Sequence, residues 1–121
     1  MRVRYLYSLL LLLALAAATA SRAQAHKQHD CHDSTIEALS HCVEHAIRGG
    51  HITSVGVATS LISKLDAAQR AELRGQRAVA ARIVGAFIYE VQAQAGIHIE
   101  EGHAEHMIGH AQEVIAQLLS G

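Results

Sequence analysis

The chain has 121 residues with ten His, two Cys, no Pro and no Trp, and its formal net charge is −1 with His neutral. This length limits the chain to one small domain. A chain with one Phe and no basic stripe lacks the charge and the stacking aromatics that nucleic-acid binding needs, so the composition argues against a nucleic-acid partner.

Residues 1–25 have the pattern of a secretory signal peptide. Two Arg precede an apolar run at residues 9–18, and Ala23 and Ala25 form a small-x-small cleavage site. The run is too short to span a bilayer comfortably, which favours cleavage over the alternative of an uncleaved membrane anchor. The sequence therefore predicts a secreted or periplasmic protein that begins at His26 and has no membrane contact after cleavage.

A polar arm is predicted at residues 26–33, where no apolar period is visible, and a helical domain at residues 34–121. The first helix is predicted to begin at Ser34, which can cap the first turn while Glu37 completes a capping box. Its apolar residues recur at three- and four-residue spacing as far as a Gly-Gly pair, which ends the helix.

Three further amphipathic patterns follow. The second helix is predicted to run from residue 53 towards residue 73 and to stop at Gly75, and the third from residue 76 to Gly96. The last, from about residue 100 to residue 119, is expected to bury Ala104, Met107, Ile108, Ala111, Ile115 and Leu118. Four short helices with tight Gly links predict an all-α fold, a small antiparallel bundle.

Three stretches of the helical domain carry a resemblance to a known family. They read GVATSLISKLDAAQ at residues 56–69, AELRGQRAVAARI at residues 71–83 and AFIYEVQAQAGIHI at residues 86–99. From about Ile52 to Leu118 the chain resembles the FIMAH-type helical module of bacterial secreted and surface proteins. The resemblance implies an extracytoplasmic accessory module without known catalytic residues. The chain departs from the family pattern in the His-rich last helix, so the module alone does not define a function.

The last helix carries His103, His106 and His110 at spacings of three and four. On an α-helix these side chains fall in one narrow stripe, which the spacing places beside the apolar face and not within it. Imidazole is a preferred ligand of copper, zinc and nickel, so the stripe is a candidate metal site. The alternative is a solvated helix face that uses His where Gln or Lys would serve.

His41 and His45 lie one turn apart on the polar face of the first helix, where two imidazoles can share a metal. With Glu44 they also match the H-x-x-E-H pattern of inverted zinc proteases. Such proteases need a large fold and a third ligand, for which Glu113 is the downstream candidate. Because a small bundle offers little room for a substrate cleft, we expect the chain not to be an enzyme.

Cys31 and Cys42 form an even pair, which in an exported protein predicts a disulfide that fastens the arm to the first helix. The alternative is thiolate coordination of Cu(I) or zinc with help from His32 and His41. In both interpretations the histidines of the arm approach those of the first helix.

The arm adds His26, His29 and His32 as candidate metal ligands. If cleavage follows Ala25, His26 presents an α-amine and an imidazole to one ion, an arrangement that resembles the histidine brace of secreted copper proteins. His51 and His98 lie at helix links and are expected to be capping or surface residues.

These observations favour a non-enzymatic metal-binding protein that buffers or delivers copper, zinc or nickel. Affinity should fall in acid, because imidazoles bind metals only when neutral. The alternative is a helical interaction module that docks onto a secreted partner or a second copy of itself, with the His as surface residues. A third hypothesis uses His protonation to switch such docking with pH.

Overall fold

The computed structural model describes Cys31 and residues 33–121; the predicted signal peptide and most of the polar arm lie outside these residues. Within the described part, the chain forms the all-α bundle that the sequence predicts, and no helix there is long and apolar enough to cross a membrane. The four helices are α1 (Ile36–Arg48), α2 (Val55–Leu73), α3 (Arg77–Gln94) and α4 (Glu101–Leu119).

The first helix begins one residue later than the sequence predicts. Thr35, not Ser34, is the N-cap of α1: its backbone is extended and its Oγ1 accepts a hydrogen bond from the amide of Ala38 at 3.1 Å. This register places Ala38 at the third helical position, where a capping box needs Glu or Gln. The predicted Ser34–Glu37 box is therefore wrong, and a single hydroxyl caps the helix.

We expect Thr35→Ala to lower the free energy of unfolding by about 1 kcal/mol, because it leaves an amide of the first turn without its acceptor. Urea unfolding followed by circular dichroism measures the effect. The matched control is Ser34→Ala, which should change stability by only a few tenths of a kcal/mol. A larger loss from Ser34→Ala than from Thr35→Ala would show that the cap is at Ser34.

The core contains the apolar stripes of all four helices. Each helix packs against the next in the chain, most extensively α2 on α3 and α3 on α4, and α1 also packs against α4, so that the four helices close a ring. Phe87 of α3 is the largest fully buried side chain. On α4 the buried face is rotated slightly from the prediction: Val114 and His110 are buried, whereas Ile108 and Ile115 are half-buried.

Candidate functional site

Two inter-helix links lie side by side and hold the candidate site. The amide of Thr53 donates to the carbonyl of His98 at 2.9 Å, and the amide of Glu100 donates to the carbonyl of His51 at 3.0 Å. Between these bonds, Ile52 forms an antiparallel bridge with Ile99, and both Ile side chains are buried. Because successive side chains of extended backbone point to opposite faces, the side chains of His51 and Glu100 project together on the face away from the core.

Glycines make the turns that bring the two links together. Gly50 and Gly96 have φ of 76° and 73°, in the left-handed region where a side chain is strained. Gly50 follows the C-terminus of α1, and Gly96 follows that of α3. Each turn is followed by a short extended segment, and the two segments pair with each other. Backbone geometry therefore sets the positions of the side chains in the site.

The side chains at this position are in close contact. His51 Nδ1 lies 2.5 Å from Glu100 Oε2, and His103 Nδ1 lies 3.5 Å from the same oxygen. The two imidazole rings stack with centroids 3.7 Å apart and planes 15° from parallel. His103 comes from the first turn of α4, three residues after Glu100, which places it above the paired links.

These three residues can act as a metal-ligand set. One ligand atom from each of His51, Glu100 and His103 lies within 4.8 Å of the other two. Two imidazoles and one carboxylate are a donor set that zinc takes in proteins, and imidazole also suits copper and nickel. About a third of each His side chain and 59% of the Glu100 side chain are exposed, so an ion could enter and leave from solvent. Without an ion, the same contacts make a hydrogen-bonded pair covered by a stacked ring.

The structure separates the three histidines of the predicted α4 stripe. His103 joins the paired links, His106 is exposed, and His110 is buried with 4% of its surface accessible. Among the residues that the structure describes, they do not form a set of three converging ligand atoms. The expectation that all three lie beside the apolar face is wrong for His110, which faces α1 and the segment before it.

The two ring nitrogens of His110 have different neighbours. Its Nε2 donates a hydrogen bond to the carbonyl of Asp33 at 2.7 Å, and its Nδ1 lies 3.5 Å from Cys42 Sγ. The hydrogen bond to Asp33 satisfies one ring nitrogen, whereas Nδ1 lies against a disulfide sulfur that has no proton to donate.

The candidate ligands of α1 remain apart from the site. His41 Nδ1 lies 3.6 Å from Glu44 Oε2, one turn along the same helix, and His45 is exposed. Glu113 lines a groove with His106, on the side of α4 that faces Cys31. Neither His41 nor Glu113 belongs to a converging set of three ligands in the described part of the chain.

The two cysteines form a disulfide, as predicted, with Cα atoms 5.6 Å apart. Both thiols are therefore committed to each other, and thiolate coordination of Cu(I) or zinc is not the state of this molecule. Three further candidate ligands, His26, His29 and His32, lie outside the described residues.

Sequence reasoning missed two members of the site. The sequence predicts His51 as a capping or surface residue and Glu100 as the start of the last helix, and it predicts neither as a ligand. The available signal is weak: each link contains an Ile with a polar residue on both sides, in His51-Ile52-Thr53 and in residues 98–100, and the second link also contains Ile97. β-branched residues are enriched in extended, paired backbone, so an Ile in a polar link can indicate a short bridge.

Comparisons with known proteins address the family of the chain. No curated protein and no solved structure matched the sequence. The family model of the FIMAH domain matches residues 36–116, about two-thirds of the chain. The match begins at the first residue of α1, earlier than the resemblance noted from Ile52 onward, so the module includes α1. The chain, a closed four-helix bundle over the matched residues, belongs to the FIMAH domain family.

Proposed function

We propose that this module binds a divalent transition-metal ion at His51, Glu100 and His103 and serves to buffer or deliver it. The observation that carries the proposal is the convergence of three ligand atoms within 4.8 Å from two links and a helix. Residues so far apart in sequence meet here because paired backbone holds the links together.

The form of the site supports reversible binding. Structural zinc sites usually have four protein ligands and are closed, whereas three protein ligands leave a coordination position for water or for a ligand of another molecule. A half-exposed three-ligand site therefore suits an ion that is passed on. We propose a role in binding, in line with the expectation from the size of the bundle, and activity of the metal-loaded protein remains to be assayed at this same site.

An extracytoplasmic location is part of the proposal. The Cys31–Cys42 disulfide and the membership in the FIMAH family are compatible with such a location, since disulfides persist in oxidising compartments. We propose that residues 1–25 direct export to the periplasm or the medium.

The test is equilibrium dialysis of the exported protein against zinc, copper or nickel, with the disulfide intact. We expect His51→Gln and His103→Gln each to weaken binding by at least about 10- to 100-fold, the loss that even an outer partner of a ligand commonly causes. Binding should also fall in acid, because protonated imidazole cannot coordinate.

The matched controls are His98→Gln, in the link that carries Glu100, and His106→Gln, one turn after His103 on α4. Both side chains are exposed and outside the set, so both variants should bind as the wild type does. Absence of binding in the wild type would overturn the proposal. Binding that instead required His26 or His29 would move the site to the arm.

A second candidate function is supported by apolar surface next to the links. Ile47, Ile52 and Ile62 line an open groove between α1 and α2, and Val55 at its edge is 83% exposed. An interaction module of this kind would hold an apolar segment of a secreted protein or a second copy of the chain. Self-association in metal-free buffer that His51→Gln and His103→Gln leave unchanged would favour this function over metal binding.

A further inference from the structure

The disulfide has one accessible and one buried sulfur. Cys42 on α1 is 6% exposed, whereas Cys31 is half-buried and lines a groove on α4. That groove, with a volume of about 360 Å³, is also lined by His106, Gly109 and Glu113. Thiol–disulfide exchange depends on access to the sulfur that is attacked. An external thiol can therefore reach Cys31 from the groove more easily than it can reach Cys42.

The buried sulfur has a base beside it. The carbonyl of Asp33 can only accept a hydrogen bond, so the Nε2 of His110 that contacts it carries a proton. In a neutral ring the other nitrogen, Nδ1, is then a bare lone pair, and it lies 3.5 Å from Cys42 Sγ. His110 is also the one buried side chain among the described residues that is polar or charged.

This arrangement favours Cys42 as a leaving group. A disulfide sulfur leaves faster when its thiolate is stabilised, and a neighbouring imidazolium stabilises thiolates strongly. We propose that the Cys31–Cys42 disulfide is a thiol-exchange site, in which an external thiol attacks Cys31 while His110 holds Cys42 as a thiolate. The proposal is independent of metal binding, because none of its residues belongs to the His51–Glu100–His103 set.

The exchange balances as two steps. A thiol RSH forms a mixed disulfide with Cys31; the bond between Cys31 and Cys42 breaks, Cys42 leaves with the electron pair, and the proton of RSH ends on Nδ1 of His110. A second RSH then attacks the mixed disulfide, which releases RSSR and leaves Cys31 as a thiol. The incoming thiol is oxidised and the protein is reduced.

Glu105 and Glu113 line the groove, so neutral or cationic thiols should react faster than anionic ones.

The first experiment measures the reduction equilibrium of the metal-free protein against mixtures of oxidised and reduced dithiothreitol. We expect His110→Gln to require about a tenfold more reducing mixture than the wild type, which corresponds to a potential about 30 mV lower for a two-electron couple. The control is His45→Gln, an exposed His one turn after Cys42, which should match the wild type. Equal equilibria for His110→Gln and the wild type would overturn the role of His110.

The second experiment needs no substitution of His110. The wild-type protein is treated briefly with β-mercaptoethanol, alkylated with iodoacetamide and mapped by mass spectrometry. Mixed disulfide on Cys31 with alkylated Cys42 is the expected product. Mixed disulfide predominantly on Cys42, or none while the fold is intact, would overturn the proposal.

A third measurement examines the thiolate directly. Cys31→Ser leaves Cys42 as the one thiol of the described chain, beside His110. The ultraviolet absorbance of the Cys42 thiolate at neutral pH should be visible in Cys31→Ser and lost in the Cys31→Ser/His110→Gln double variant. An absence of thiolate in Cys31→Ser would contradict the stabilisation on which the exchange depends.

Discussion

Phe87→Ala should lower the free energy of unfolding by about 3–5 kcal/mol, the largest stability loss that we expect from any single substitution in this chain. Phe87 has no accessible surface and lies on α3, the helix whose contacts with both of its neighbours are the most extensive in the bundle. Truncation removes the transfer free energy of the ring and leaves a cavity that the surrounding helices fill only in part.

This loss is a large part of the total stability of a small domain, since the free energy of unfolding of such domains is about 5–15 kcal/mol. Urea unfolding monitored by circular dichroism would show a much lower midpoint with a similar slope. Tyr89→Ala, two residues further along α3 and 75% exposed, is the matched control and should change stability by less than about 0.5 kcal/mol. Comparable losses from the two variants would mean that Phe87 is not at the centre of the core.

Cys31→Ser should lower the free energy of unfolding by about 2–3 kcal/mol relative to the oxidised protein. The disulfide closes a short loop, with a sequence separation of 11. Its removal raises the conformational entropy of the unfolded chain and so favours unfolding. Ser replaces a half-buried sulfur, so the substitution itself makes little change in packing. The buried partner, Cys42, keeps its contact with His110.

The same loss should appear in the wild type when it is unfolded with reductant present. Thermal or urea unfolding of both proteins, each with and without dithiothreitol, gives four curves. The wild type should fall to the level of Cys31→Ser on reduction, and Cys31→Ser should be insensitive to reductant. Equal stability of Cys31→Ser and oxidised wild type would show that the disulfide does not stabilise the bundle.

The helices of this fold could be predicted from the sequence because their signals are local. Apolar residues at three- and four-residue spacing, with Gly75 and Gly96 beyond the ends of α2 and α3, suffice to define helices that each bury one face. Errors of one residue arose where two hydroxyl side chains compete for a cap. Either Ser34 or Thr35 can serve, and the backbone angles that decide between them are absent from a sequence pattern.

The candidate site could be predicted only in part, because its contacts are long-range. His103 was a predicted ligand, but its partner His51 lies more than fifty residues earlier, and a bridge between two links brings them together. The helical period predicts the angular position of His110 around α4, but it does not predict where α1 packs against that helix. The burial of His110 depends on two contacts with distant parts of the chain, the hydrogen bond from Nε2 to the Asp33 carbonyl and the packing of Nδ1 against Cys42 Sγ.

The contact between α1 and α4 closes the ring of helices, and both sites contain a contact that crosses this closure. The contact between His51 and Glu100 spans 49 residues and that between Cys42 and His110 spans 68, so both lie across the same closure. The α1–α4 pair also has the least extensive contact of the packed helix pairs.

Contacts of such sequence separation carry the loop-closure entropy of folding, whereas the α2–α3 and α3–α4 pairs are local. An ion that binds only across the closed ring at a hundred times its dissociation constant would therefore add about 2.7 kcal/mol to the stability of the whole domain. A bound ion would in this way stabilise most the helix contact that is least extensive, that between α1 and α4.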